Sequence, residues 1–122
     1  MIGTFDVFFD KDVQLRIALQ RVARLDFMAV TDHHQPWDKE RNKQPLNYWN
    51  ALLDDVRAAD EPGRFLAFPG IEFRCRRGDT AVVFNEYLDY AVIDQPEMTD
   101  IVEFWRLMQG HDYITIPHFH NG

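Results

Sequence analysis

The chain holds five histidines, and they fall in two places: His33 and His34, then His111, His118 and His120. Four of the five directly follow an apolar run with the length of a buried strand. Phe27-Met-Ala-Val-Thr31 leads into Asp32, His33 and His34, and Tyr113-Ile-Thr-Ile116 leads into Pro117, His118 and His120. A third run, Phe65 to Phe68, passes through Pro69-Gly70 to Glu72. Neutral imidazole nitrogen and carboxylate oxygen are ligands of Zn²⁺, Mn²⁺ and Fe²⁺. A carboxylate such as Glu72 can bridge two ions, which lower the pKa of a shared water and clamp an in-line displacement at phosphorus. Asp32 can instead orient a ligating imidazole. Taken singly, each residue has a plainer reading. A histidine after a strand is usually a hydrogen-bonded loop residue, an aspartate there is often a helix cap, and Glu72 can pair with Arg74 or Arg76. The recurrence at three separate strand ends is what points to a metal or acid–base site.

For those ends to meet, the strands must run side by side in one direction, and the rest of the chain supplies the connections. Asp10 can cap a helix that carries Val13, Ile17, Leu19, Val22 and Leu25 at mostly helical spacing. Gln35 to Gln44 reads as a polar loop. A second helix runs from about Pro45 to about Ala59, with Tyr48, Trp49, Leu52, Leu53 and Val56 as its apolar stripe. Glu61-Pro62-Gly63 stops it. Glu72 to Tyr87, interrupted by Arg76-Arg77-Gly78-Asp79, is either a hairpin or two neighbouring strands. Thr99 or Asp100 caps a third helix, with Ile101, Phe104, Trp105 and Met108 on one face and Gly110 as its stop. Thr4 to Phe9 is strand-like in composition. Helices between short strands buried on both faces predict crossover connections and an α/β fold with a mainly parallel sheet. Open α/β sheets and barrels place their sites at the carboxyl ends of such strands.

Composition narrows the function classes. The 122 residues suit one domain, and 46% hydrophobic content with ten Phe is enough for a real core. Thirteen basic against twenty acidic residues leave a net charge of −7, which argues against a nucleic-acid partner held by bulk electrostatics. No apolar run approaches the ~18 residues of a membrane span, and the first ten residues lack the basic charge of a signal peptide. The single Cys75 excludes an intrachain disulfide. These features predict a cytoplasmic protein without a membrane partner. Cys75 lies between Arg74 and Arg76, which could lower its pKa, but a lone strand cysteine is more often inert. Arg64, Arg74, Arg76 and Arg77 form the one local basic cluster; they either neutralise a substrate phosphate near Glu72 or are solvated turn residues, and the second reading is the default.

Leu25-Asp-Phe-Met-Ala-Val-Thr-Asp-His-His34 closely resembles the T-D-H motif of the PHP (polymerase and histidinol phosphatase) superfamily. Phe68-Pro-Gly-Ile-Glu-Phe73 looks like the family's next motif, and Ile114-Thr-Ile-Pro-His118 like a later one. The resemblance implies a distorted (β/α)7 barrel and metal-dependent hydrolysis of a small-molecule phosphoester. It assigns metal-binding roles to His33, Glu72 and His118, with Zn, Mn or Fe as the divalent ions. Asp32 would support His33, and His34 and His120 are further imidazoles for ligation or proton transfer. Together these give a candidate catalytic set of Asp32, His34 and His120.

The chain departs from the family pattern in three places. Met1 to Asp10 hold no histidine, so the opening H-x-H pair is missing. Gly78-Asp79 matches the stretch where a Gly-His pair is expected, so Asp79 stands in the place of the His, and the chain reaches Gly122 before the closing D-x-H motif. The resemblance therefore implies that residues 1–122 are a single PHP-like domain's N-terminal portion. If these residues are the whole molecule, open sheet edges and bare apolar faces predict a homo-oligomer. Two other functions fit the same residues: a non-catalytic PHP-like module with an incomplete metal site, and a metal-dependent amidohydrolase.

Overall fold

A computed structural model describes residues 2–5, 26–42, 46–75 and 78–117. In chain order these form β1 (Ile2–Phe5), β2 (Phe27–His34), α1 (Leu46–Ala59), β3 (Leu66–Cys75), β4 (Gly78–Phe84), α2 (Tyr90–Ile93), α3 (Ile101–Leu107) and β5 (Tyr113–Pro117). The expected helix over residues 11–25 lies outside the described residues, as do His118 and His120.

The five strands form one sheet in the order β1-β2-β3-β4-β5. β1 pairs with β2 and β2 with β3 in parallel, whereas β3 with β4 and β4 with β5 are antiparallel. This corrects the expectation of a mainly parallel sheet with crossover helices forming part of a (β/α)7 barrel. Half of the pairings are antiparallel, the order is linear, and α1 is the one described helix that lies in a crossover between parallel neighbours. The physical reason lies where the two strands meet, with Cys75 paired to Gly78. Gly78, at φ 137°, takes a backbone conformation that L side chains rarely adopt, and β3 folds straight back on itself as a hairpin. Because β4 alone is reversed, β2, β3 and β5 still point the same way and end on one side of the sheet.

α1 forms because its apolar residues recur at helical spacing, and Trp49, Leu52, Leu53, Val56 and Ala59 are all buried. They cover one sheet face, where Met28, Val30, Ile71, Phe73, Val82 and Phe84 complete a single core. Each fully buried large side chain there contributes roughly 1.5–3 kcal/mol. Trp49 also donates from Nε1 to the Leu88 carbonyl at 2.9 Å, so its one polar atom is satisfied. At α3, Asp100 accepts from the Glu103 amide at 2.9 Å, as the expected cap should. Phe104 and Met108 are buried as expected, but Trp105 is 46% exposed. Among the described residues, no helix is long and apolar enough to cross a membrane.

Gly70 lies where three strands crowd together. A Cβ on it would meet the Val82 carbonyl oxygen at 2.5 Å and Thr31 Cγ2 at 2.9 Å. The first of these is backbone in a paired strand and cannot swing aside. Gly70→Ala is therefore expected to cost about 2 kcal/mol, read as a lowered midpoint in urea unfolding with an unchanged slope. An unchanged midpoint would show that β3 and β4 can part at this point.

Candidate active site at the sheet rim

The sequence presents Asp32, His33 and His34 as a cluster following a strand, but β2 continues through all three. Successive strand residues face opposite sides of a sheet, so the cluster is split. Asp32 and His34 share the core face with Val30, whereas His33 shares the other face with Thr31. The parallel register sets His33 beside Glu72, and the hairpin register sets Arg74 beside Asp79. Three strands thus bring four polar residues to one rim.

His33 Nε2 lies 2.6 Å from Glu72 Oε2, and the Glu72 side chain is 4% exposed against 17% for His33. Arg74 NH1 lies 3.3 Å from His33 Nδ1. A guanidinium can only donate, so Nδ1 accepts and the ring proton sits on Nε2, the nitrogen that lies beside Glu72 Oε2. Arg74 also reaches Asp79, with Nε 3.6 Å from Oδ1. His33 and Arg74 face a cavity of about 260 Å³ that Gln35, Trp37 and Arg41 also line. The loop after β2 forms its wall. Trp37 donates from Nε1 to the Arg74 carbonyl at 2.7 Å, and the Gln35 amide donates to Asn42 Oδ1 at 2.9 Å. A buried carboxylate backs an imidazole, and the imidazole opens onto a cleft lined by two guanidinium groups and the Asp79 carboxylate.

The other candidates lie elsewhere. Asp32 is buried and accepts a hydrogen bond from the Tyr48 hydroxyl, tying β2 to α1. His34 is fully buried, donates from Nε2 to the Ile93 carbonyl at 2.8 Å and packs edge-on to Tyr90. Neither meets His33 or Glu72, because alternation turns them to the core face. His118 and His120 lie outside the described residues. β5 ends at Pro117, which pairs with Thr80, on the side where Glu72 sits. Of the basic cluster, Arg74 joins the site and Arg64 lies in the turn before β3. At ~3.3 Å per residue the ten-residue strand separates those two by roughly 30 Å. Arg76 and Arg77 lie outside the described residues. Sequence reading missed Arg41 and Trp37, since a polar loop carries no periodicity to mark which side chains turn inward.

The divalent ion that the family resemblance implies does not fit this pair as arranged. Among the described residues, no three His, Cys, Asp or Glu side chains converge as a metal group. The two groups that do meet stand only 2.6 Å apart, and a guanidinium holds the far nitrogen of the imidazole.

Cys75 also borders the cavity. Burial, with Asp79 and Asp100 nearby, pushes its thiol up to about 11, opposite to the lowering that its flanking arginines suggest. A two-unit rise leaves roughly a hundredfold less thiolate near pH 8 than an ordinary cysteine has. Alkylation of the folded chain is expected to be slower than that of the urea-unfolded chain by about that factor; equal rates would place the thiol in solvent. No protein-family profile, curated protein or solved structure matches this chain.

Proposed function

We propose that the chain is a hydrolase of a small anionic phosphoester, which binds in the rim cavity and is attacked by a water that His33 deprotonates. The observation that supports this reading is the buried Glu72 carboxylate 2.6 Å behind His33 Nε2, with the imidazole opening onto a cavity that Arg41 and Arg74 line. In a chain of net charge −7, this cleft brings two guanidinium groups together with the single carboxylate of Asp79. Planar guanidinium groups bind phosphoryl oxygens through paired N–H donors.

The chemistry follows from the proton positions. The substrate anion competes for Arg74, whose NH1 sits at a long 3.3 Å from His33 Nδ1. Once Arg74 turns to the phosphoryl oxygens, Nδ1 is open to a water. His33 takes the water's proton as its oxygen bonds to phosphorus. Glu72, whose carboxylate lies beside Nε2, stabilises the imidazolium that results, and the opposite nitrogen is the one turned to the cavity. The bond from phosphorus to the leaving oxygen breaks, and the proton held on Nδ1 passes to that oxygen.

The test is hydrolysis by the purified chain of p-nitrophenyl phosphate, bis-p-nitrophenyl phosphate and a p-nitroanilide, each with and without added Mn²⁺. Turnover of the phosphomonoester that His33→Gln abolishes is expected. Turnover of the anilide alone would move the reading to amide hydrolysis. Phosphate-analogue binding with no turnover of any substrate would make the chain an anion-binding module.

A further inference from the structure

The misfit between the rim pair and a divalent ion points to a role for Arg74 at this same site, and the inference rests on the functional reading given above. We infer that Arg74 keeps divalent cations off the His33–Glu72 pair. Its hydrogen bond to His33 Nδ1 and a cation held jointly by His33 Nε2 and Glu72 exclude each other.

The first reason is the proton count. A neutral imidazole carries one ring proton. While Arg74 donates to Nδ1 at 3.3 Å, that proton must be on Nε2, which lies 2.6 Å from Glu72 Oε2. A cation on Nε2 needs the other tautomer, with the proton on Nδ1. That N–H would then point at an N–H of Arg74, so the guanidinium must leave. The second reason is distance. Two ligand atoms on one ion, each at ~2.0–2.2 Å, stand roughly 3–3.5 Å apart at tetrahedral or octahedral angles, so the pair must open. The third reason is charge, because a guanidinium on the same imidazole repels an incoming divalent ion. Asp79, with Oδ1 3.6 Å from Arg74 Nε, anchors the guanidinium beside the imidazole. Arg74 is thus a positioning residue for His33 that sets its tautomer.

Two measurements on the full 122-residue chain test this. Mn²⁺ affinity by isothermal titration is compared for the wild type, Arg74→Met and the double variant Arg74→Met/Glu72→Gln. The single variant is expected to bind Mn²⁺ about tenfold more tightly than the wild type, and the double variant is expected to lose that gain. ¹⁵N NMR of the His33 ring needs no variant that must fold, and it is expected to show the proton on Nε2 in the metal-free wild type. Equal Mn²⁺ affinities for wild type and Arg74→Met would overturn the inference. So would a gain that survives Glu72→Gln, or a wild-type proton on Nδ1. Because these readouts use no substrate, failure of the hydrolase reading leaves them intact, and their failure leaves phosphomonoester turnover untouched.

Discussion

Glu72→Gln is expected to lower kcat for a phosphomonoester by a factor on the order of 10²–10⁴, with a much smaller change in KM. The glutamine keeps the shape of the side chain and can still accept from His33 Nε2. What it lacks is the negative charge that stabilises His33 once the imidazole has taken the water's proton. That charge matters only after proton transfer has begun, so its loss falls on the transition state and spares substrate binding. Glu72 is buried, which shields its charge from water and makes its effect on the imidazolium larger than at the surface. Arg74→Met should show the reverse pattern, with KM rising more than kcat falls, because its guanidinium meets the ground-state anion as well. Thermal unfolding of both variants separates these effects from misfolding. A Glu72→Gln kcat close to that of the wild type would remove the pair from the chemistry.

The elements that repeat a period were legible in the sequence, and the elements that depend on pairing were not. α1 is visible in the spacing of Trp49, Leu52, Leu53 and Val56, and α3 in the Asp100 cap and the Phe104–Met108 pair. β2, β3 and β5 stand out as apolar runs, but their lengths do not. β2 runs on through Asp32, His33 and His34, and β3 through Pro69 and Gly70 to Cys75, because pairing with neighbours satisfies the backbone of residues that look like loop. The direction of β4 was equally hidden. A hairpin and a crossover bury the same apolar residues, and the pairing of Cys75 with Gly78 is what distinguishes them. α2 is one turn of helix with too few residues to show a period.

The extension of β2 also explains how the candidate site changed. Read as a loop, Asp32, His33 and His34 can all turn to one place. Read as a strand, they alternate, and the middle residue alone reaches Glu72. Chemistry at the strand ends was legible as residue types, while the partition between site and core was set by the register of the sheet. Arg74 looked like a solvated turn residue for the same reason. Two positions beyond Glu72 in β3, it faces the same side and lands against His33.

His34, turned into the core by that alternation, should make the fold acid-sensitive within the range of ordinary buffers. Burial is the main cause that lowers its pKa from 6.5 to about 4, against smaller upward pulls from the Ile93 carbonyl, Asp94 and Asn42. Donation from Nε2 to the Ile93 carbonyl leaves the lone pair on Nδ1, which is closed off from water. A proton added there would be buried charge. The folded pKa lies below the unfolded one, so the unfolded chain binds the proton more tightly. The full stability is therefore present above about pH 6.5 and is lost as pH falls toward about 4, by about 1.4 kcal/mol per pH unit and about 3 kcal/mol in all. Glutamine at position 34 can donate to the same carbonyl and does not titrate. Urea unfolding at about pH 7.5 and about pH 5 should show the wild type losing about 2 kcal/mol more than His34→Gln over that interval. Taking the difference between the two chains cancels the contribution of every group they have in common. Parallel losses would mean that water or a local opening reaches His34, and that the hydrogen bond joining the end of β2 to α2 is not held shut in the native state.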